Sequence, residues 1–176
     1  MIVYHGTTEA SGSQIMKDGI IKNDIKRRYG QSFGLPTTNG YVYITNNFVN
    51  AVYYGNKNAY FDKQDNLIVF KFQIDENILE ADNDEIEYTL KPFGNDNVIK
   101  DKNNPTVEES LKHTMSARIP NNIYLVNNVE YAVIPSTYSK NRNETRDIVS
   151  LARTDNEYAN KLKDEFLKSI IWNKCY

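Results

Sequence analysis

The chain has 176 residues, 40% of them hydrophobic and 25% charged, with a net charge of −2. Such values describe one soluble globular domain that can bury a core without staples, and they give no global attraction to nucleic acid or an anionic membrane. A single cysteine, Cys175, and only two histidines leave no internal disulfide and too few ligands for a zinc site, so no metal is expected.

Taken in chain order, Ile2 to His5 reads as a buried strand whose tip is His5-Gly6-Thr7. Glu9 to Asp18 reads as a short helix with Ile15 and Met16 inward, stopped by Gly19. From Lys22 to Gly40 runs a long polar loop carrying Lys26-Arg27-Arg28. Tyr41 to Ile44 is a second strand, and Thr45 caps a helix through Phe48, Ala51, Val52 and Tyr54 that Gly55 ends. Leu67 to Ile74 alternates around Val69, Phe70 and Phe72 as a strand. The acidic run Glu80 to Glu87 reads as a solvated loop, and Asn95 to Asn104 as a polar connection. Thr106 and Glu109 form a capping box for a helix through Leu111 and Met115. Ile123 to Val126 and Val129 to Ile134 are expected to form a hairpin across Asn127-Asn128. Ser139 to Arg153 is polar and basic. Thr154 and Glu157 then open an amphipathic C-terminal helix with Tyr158, Leu162, Phe166, Ile170 and Ile171 on its apolar side.

The chain has no Gly-rich phosphate loop, no metal cluster and no Gly-x-Ser-x-Gly elbow. It has a histidine at a strand end, many tyrosines, and Glu130 within an apolar strand. A carboxylate there needs a partner or a task. Alternation sends Glu130, Ala132 and Ile134 one way and Val129, Tyr131 and Val133 the other. Either face can be the inner one, and an exposed edge glutamate remains an alternative. His5 could equally be a hydrogen-bonded structural residue, Gly6 a turn glycine, and the tyrosines packing residues.

Three segments in order suggest more. They are Tyr4-His5-Gly6-Thr7, then Tyr43-Ile44-Thr45 followed by Ala51-Val52-Tyr53-Tyr54, and then Glu130-Tyr131-Ala132-Val133-Ile134. Together they resemble the His-Tyr-Glu branch of the ADP-ribosyltransferase superfamily, the branch of diphtheria toxin and the poly(ADP-ribose) polymerases. The likeness spans about residues 1 to 135 and includes Ile68 to Asp75 with the downstream Leu79-Glu80-Ala81-Asp82. Tyr54 stands eleven positions after Tyr43 as a second tyrosine, and Tyr53 is compatible with that place too. Asn50 and Ala51 stand where the family has a small polar residue. Asn128 is neither Glu nor Gln and no Ser-Thr-Ser motif is present, which argues against the arginine-modifying subgroup.

The resemblance implies an α+β fold in which a split mixed β-sheet core carries short flanking helices, in a single domain with a core of about 1–135 and an extension of about 139–176. It implies NAD⁺ as co-substrate, cleavage of the nicotinamide–ribose bond and mono-ADP-ribosyl transfer to a macromolecular acceptor, protein or nucleic acid. In that scheme Tyr43 and Tyr54 (or Tyr53) stack on nicotinamide and the Gly6 backbone bonds its carboxamide. His5 and Thr7 hold the ribose of the adenosine side, Arg27 contacts adenine or pyrophosphate, and Glu130 stabilises the oxocarbenium-like ribose. His5, Tyr43 and Glu130 are then expected to converge on one cleft, bordered by the loop from Lys22 to Gly40. The strands from Ile2, Tyr41 and Val129 should be neighbours.

No apolar run has the length of a membrane span and no leader is evident, so the sequence reads as cytoplasmic, with no membrane partner and no N-terminal regulatory module; an exported toxin would look the same. A compact enzyme of this type fits a toxin paired with an antitoxin or immunity protein, or a phage–host conflict protein. The alternatives are a tRNA 2′-phosphotransferase-like enzyme, for which Arg118 and Arg27 are available, and a non-catalytic module that binds a partner or ADP-ribose.

Overall fold

A computed structural model of the chain describes residues 1–24, 37–126, 128–140 and 143–175. In chain order the elements begin with strand β1 (Ile2–Thr8), helix α1 (Glu9–Asp18), β2 (Ile20–Ile21), β3 (Val42–Thr45) and α2 (Phe48–Phe61). The middle holds β4 (Asn66–Gln73), β5 (Glu80–Ala81), the single helical turn α3 (Asn83–Glu85), α4 (Val107–His113), β6 (Ser116–Ile119) and β7 (Ile123–Tyr124). Last come β8 (Glu130–Pro135), α5 (Asn143–Ser150), α6 (Glu157–Ser169) and β9 (Asn173–Lys174). The protein is α+β, as expected, but the strand pairs described below are antiparallel where a mixed sheet was expected.

The elements fall into two compact units. The first takes Met1–Gly19, Asn47–Ile74 and Leu125–Tyr176, and the second takes Ile20–Asn46 and Asp75–Tyr124.

In the first unit the strands run in the order β1-β4-β8-β9, every pair antiparallel. Because directly opposed residues share a face, the registers sort the side chains into two sets. Gly6, Val69 and Ala132 lie in one row, with Thr8, Leu67 and Ile134 in a row beside it. This face carries the core: Leu67, Val69, Ala132 and Ile134 pack with Phe48, Ala51 and Val52 of α2, Ile148 of α5 and Phe166 of α6. The opposite face holds Val3, Ile68 and Phe70, all buried, with Gly12 of α1 against Ile68.

α2 sits unusually close to β1. A Cβ built on Gly6 would lie 1.8 Å from the Ala51 carbonyl oxygen, and one on Gly55 would lie 3.1 Å from the Thr7 amide nitrogen. Two glycines facing each other let helix and strand backbones touch. Gly55 therefore sits inside α2 rather than ending it, and Gly6 lies within a strand rather than in a turn.

In the second unit β6 lies between β5 and β3, both antiparallel to it, and β2 pairs with β7. Its centre is a buried polar network. The Ser116 hydroxyl donates to the Asp82 carboxylate at 2.6 Å, the Asp82 amide donates to Ser110 Oγ at 2.9 Å, and Ser110 Oγ donates to the Ser116 carbonyl at 2.7 Å. Thr45 donates its hydroxyl to the Met115 carbonyl.

Several expected elements take another form. The hairpin of residues 123–134 is absent, because β7 pairs with β2 while β8 pairs with β4 and β9. The acidic run does not form a solvated loop: it contains β5, the buried Asp82 and α3, whose first turn Asp82 caps by accepting from the Glu85 amide. α2 is capped by Asn47 rather than Thr45, and α6 by Asn156 rather than Thr154. The capping box of Thr106 and Glu109 and the left-handed Gly19 cap of α1 are both present.

Candidate functional site

In the first unit, β1 continues past His5 to Thr8. His5 therefore stands in mid-strand and not at a strand tip. It lies directly across from Phe70, and Phe70 across from Tyr131. His5 and Thr7 project from the face away from α2 and are half-buried. The next hydroxyl, Thr8, has a structural task, accepting from the Ser11 amide as the cap of α1.

Glu130 opens β8 in the adjacent row. It lies across from Lys71, and Lys71 across from Tyr4. One position of offset inverts the face, so Glu130 and His5 project from opposite sides of this sheet. The strands of His5 and Glu130 are also not neighbours, since β4 runs between them. The expected meeting of these two side chains does not occur. Glu130 instead accepts from Lys71 Nζ at 2.7 Å, with Lys174 opposite it on β9. Lys71 Nζ also lies 5.2 Å over the Trp172 ring. The carboxylate in an apolar strand thus has a cationic partner 59 positions away in sequence.

Tyr53 and Tyr54 stand on α2 with their rings 5.1 Å apart and nearly perpendicular. Tyr53 packs on the hydrophobic core, while the Tyr54 hydroxyl accepts from Arg153 Nη2 at 3.0 Å. Arg153 follows α5, so the C-terminal segment reaches a tyrosine that the resemblance assigns to nicotinamide. A groove of about 480 Å³ in this unit runs beside Val133 and Ile134 and is walled by Phe166, Ile170 and Ile171. Among the described residues, none of the sequence-predicted site residues lines it.

In the second unit, Tyr43 on β3 lies across from Arg118 on β6, which lies across from Glu80 on β5. The row therefore places a phenol, a guanidinium and a carboxylate side by side on one face. The Tyr43 hydroxyl bonds the Asp84 carboxylate and donates to the Thr38 carbonyl at 3.1 Å. Asp84 also accepts from the Thr38 amide and hydroxyl, each at 2.7 Å. This one carboxylate fixes both the tyrosine and the chain leading into β3. The Arg118 guanidinium sits 4.0 Å over the Tyr41 ring, and its Nε is 3.5 Å from Glu80 Oε2.

Asp82, next to this row, is 3% exposed. Burial pushes its carboxyl up to about 6, and the charges of Glu85 and Asp84 add to the rise, against the lowering effect of its bonds from Ser116 and Glu85.

Arg27, with Lys26, Arg28 and most of the expected lid, lies outside the described residues. Among the described residues no cluster of three or more His, Cys, Asp or Glu could hold a metal ion, and no helix is long and apolar enough to cross a membrane.

The residues that sequence reasoning missed are Asp84, Asp82 and Lys71. The spacing Asp82-x-x-Glu85 was a helix-start signal inside the acidic run and pointed to ordered structure there. No local signal linked Lys71 to Glu130. No family model, curated protein or solved structure matches the chain.

Proposed function

We propose that the chain is an NAD⁺-dependent mono-ADP-ribosyltransferase of ADP-ribosyltransferase-like fold, which breaks the nicotinamide–ribose bond and passes ADP-ribose to a protein or nucleic-acid acceptor. The observation that supports this reading is that the three resembling segments fall, in order, in a strand, in a strand followed by a helix, and in a strand, although β1 runs on past His5. His5-Gly6-Thr7 lies in β1, Tyr43 lies on a strand followed by a helix bearing Ala51, Tyr53 and Tyr54, and Glu130-Tyr131 opens β8. In this reading NAD⁺ is the only cofactor, used as a co-substrate. In the scheme of the resemblance His5 and Thr7 hold a ribose and Tyr43 with Tyr54 or Tyr53 takes nicotinamide, whereas Gly6, packed against the Ala51 carbonyl of α2, lacks the open approach that its carboxamide role needs. Asp84 keeps the Tyr43 ring in place. A toxin restrained by an antitoxin or immunity protein is the setting that suits such an enzyme.

Glu130 is the assignment with least geometric support, since it faces away from His5 and is paired with Lys71. That placement favours a second reading, a module that binds NAD⁺ or ADP-ribose without transfer. If transfer does occur, Asp84 is the carboxylate on Tyr43 in its own unit, with Glu80 one strand further on beyond Arg118.

One experiment separates the two. The protein is incubated with labelled NAD⁺ and a cell lysate, with and without nuclease, and released nicotinamide is measured. The expected result is nicotinamide release with label on a macromolecule, and nuclease sensitivity of that label identifies a nucleic-acid acceptor. Intact NAD⁺ and no label, with ADP-ribose binding measured by calorimetry, would establish the binding module and end the enzymatic proposal.

A further inference from the structure

Arg118 stands in the middle of the β5-β6-β3 row with only 11% of its side chain in solvent. Its Nε is buried and forms no hydrogen bond, although Glu80 Oε2 lies 3.5 Å away. Among the described residues the guanidinium meets Glu80 and the Tyr41 ring, 4.0 Å away. Glu80 supplies opposite charge but, being 44% exposed, is itself held in water.

A guanidinium withdrawn this far from water is normally met by oxygen acceptors on its edge, because an unmet buried donor is costly. Tyr41 lies against the group, and the N–H donors of the guanidinium are what an anion would meet. Two oxygens of one anionic group match that edge geometrically, and a phosphate presents such a pair. Tyr43 stands directly opposite, its ring held through the hydroxyl by Asp84 and Thr38. The Cβ atoms of such an opposed pair are about 5 Å apart, so a ligand anchored on Arg118 has a fixed aromatic side chain as its neighbour.

We propose that Arg118, backed by Tyr41, is an anion subsite for the phosphate or pyrophosphate group of a ligand whose flat ring lies against Tyr43. The identity of that ligand as NAD⁺ rests on the function proposed above. The anion chemistry rests on Arg118 alone.

The test is calorimetric titration of the full chain with inorganic pyrophosphate, NAD⁺ and nicotinamide riboside, which has the ring without the phosphates. Wild type, Arg118→Lys and Arg118→Met are compared, with folding checked by thermal unfolding. Arg118→Met is expected to weaken pyrophosphate and NAD⁺ binding at least tenfold and to leave nicotinamide riboside unchanged. Arg118→Lys should recover part of the loss, since it keeps the charge but not the planar fork. Wild type that does not bind pyrophosphate, or Arg118→Met that binds pyrophosphate and NAD⁺ as wild type does, overturns the subsite.

Should the methionine variant not fold, the arginine Nε–H resonances of wild type titrated with pyrophosphate give the answer. A shift of the resonance missing from Arg118→Lys supports the subsite, and no shift overturns it. The two proposals fail separately. Pyrophosphate held through Arg118 without any NAD⁺ binding keeps the subsite and sinks the NAD⁺ reading. NAD⁺ turnover with Arg118→Met at full affinity does the reverse.

Discussion

Asp82 accepts hydrogen bonds from Ser116 and from the Glu85 amide, yet the loss of water outweighs both and its pKa rises from 3.8 to about 6. An acid that holds its proton more tightly when folded destabilises the native state once it ionises. The cost is absent below about pH 4, grows as pH rises to about 6, and is complete above that, reaching about 3 kcal/mol. Asp82→Asn keeps an acceptor for the Glu85 amide and removes the ionisation. Unfolding free energies measured from pH 4 to 7 should therefore converge between the two proteins at low pH and favour the variant at neutral pH. Parallel curves would show that burial does not control this group. Glu130 gives a second expectation. Its ion pair with Lys71 is about one-third exposed on each side, so Glu130→Gln should cost at most about 1 kcal/mol. Because the carboxylate faces away from His5, transfer should stay within tenfold of wild type; a hundredfold loss with unchanged melting would restore its role at the oxocarbenium. The oddness of Glu130 was legible in the sequence, as was its alternation with Tyr131. Its partner was not, because strand registers set by long-range pairing brought Lys71 to it. The same registers, and not any motif, decided the faces of His5 and Glu130.

At the scale of elements, the contact of β1 with α2 rests on Gly6 and Gly55. Gly6→Ala drives a methyl into the Ala51 carbonyl, and backbone on both sides leaves little room to relax. It should cost about 3 kcal/mol or more, at the upper end of overpacking. Gly55→Ala meets Leu67 Cδ1 at 3.0 Å and the Thr7 amide at 3.1 Å, and it also gains about 1 kcal/mol of helix propensity. It should be the milder of the two in urea unfolding, and the opposite order would refute the backbone contact. This contact explains one misreading. Gly55 looked like a helix stop because glycine commonly follows a last turn, whereas here the demand comes from another element. Two signals that depend only on near neighbours were read correctly, the Thr106–Glu109 box and the Gly19 cap; β4 was expected as a strand, but it is buried on both faces from Leu67 to Phe70 instead of alternating. Elements defined by distant partners, such as β2, β9 and the cover supplied by α5, had no local signature, and β7 was expected as a strand but with the wrong partner.

For the whole molecule, the C-terminal segment is not an accessory to a core ending near Pro135. Ile148, Ala152 and Phe166 belong to the same buried cluster as Val69 and Ala132. A chain cut after Lys140 should lose cooperative thermal unfolding, because Leu67, Val69 and Ile134 would lose the residues that cover them. A sharp transition near the wild-type temperature would mean that the helices are dispensable. The threading of the first unit through three stretches of chain also has a kinetic consequence. β4 joins partners near residues 2–8 and 130–135, so much of its pairing closes very long loops, which slows folding. As the polypeptide emerges from the ribosome, β1, α2 and β4 are made early, with their apolar row of Leu67 to Phe70 waiting for residues beyond 125. The nascent chain is thus exposed to aggregation over most of its synthesis, and chaperones that hold extended apolar segments would act on it in that interval.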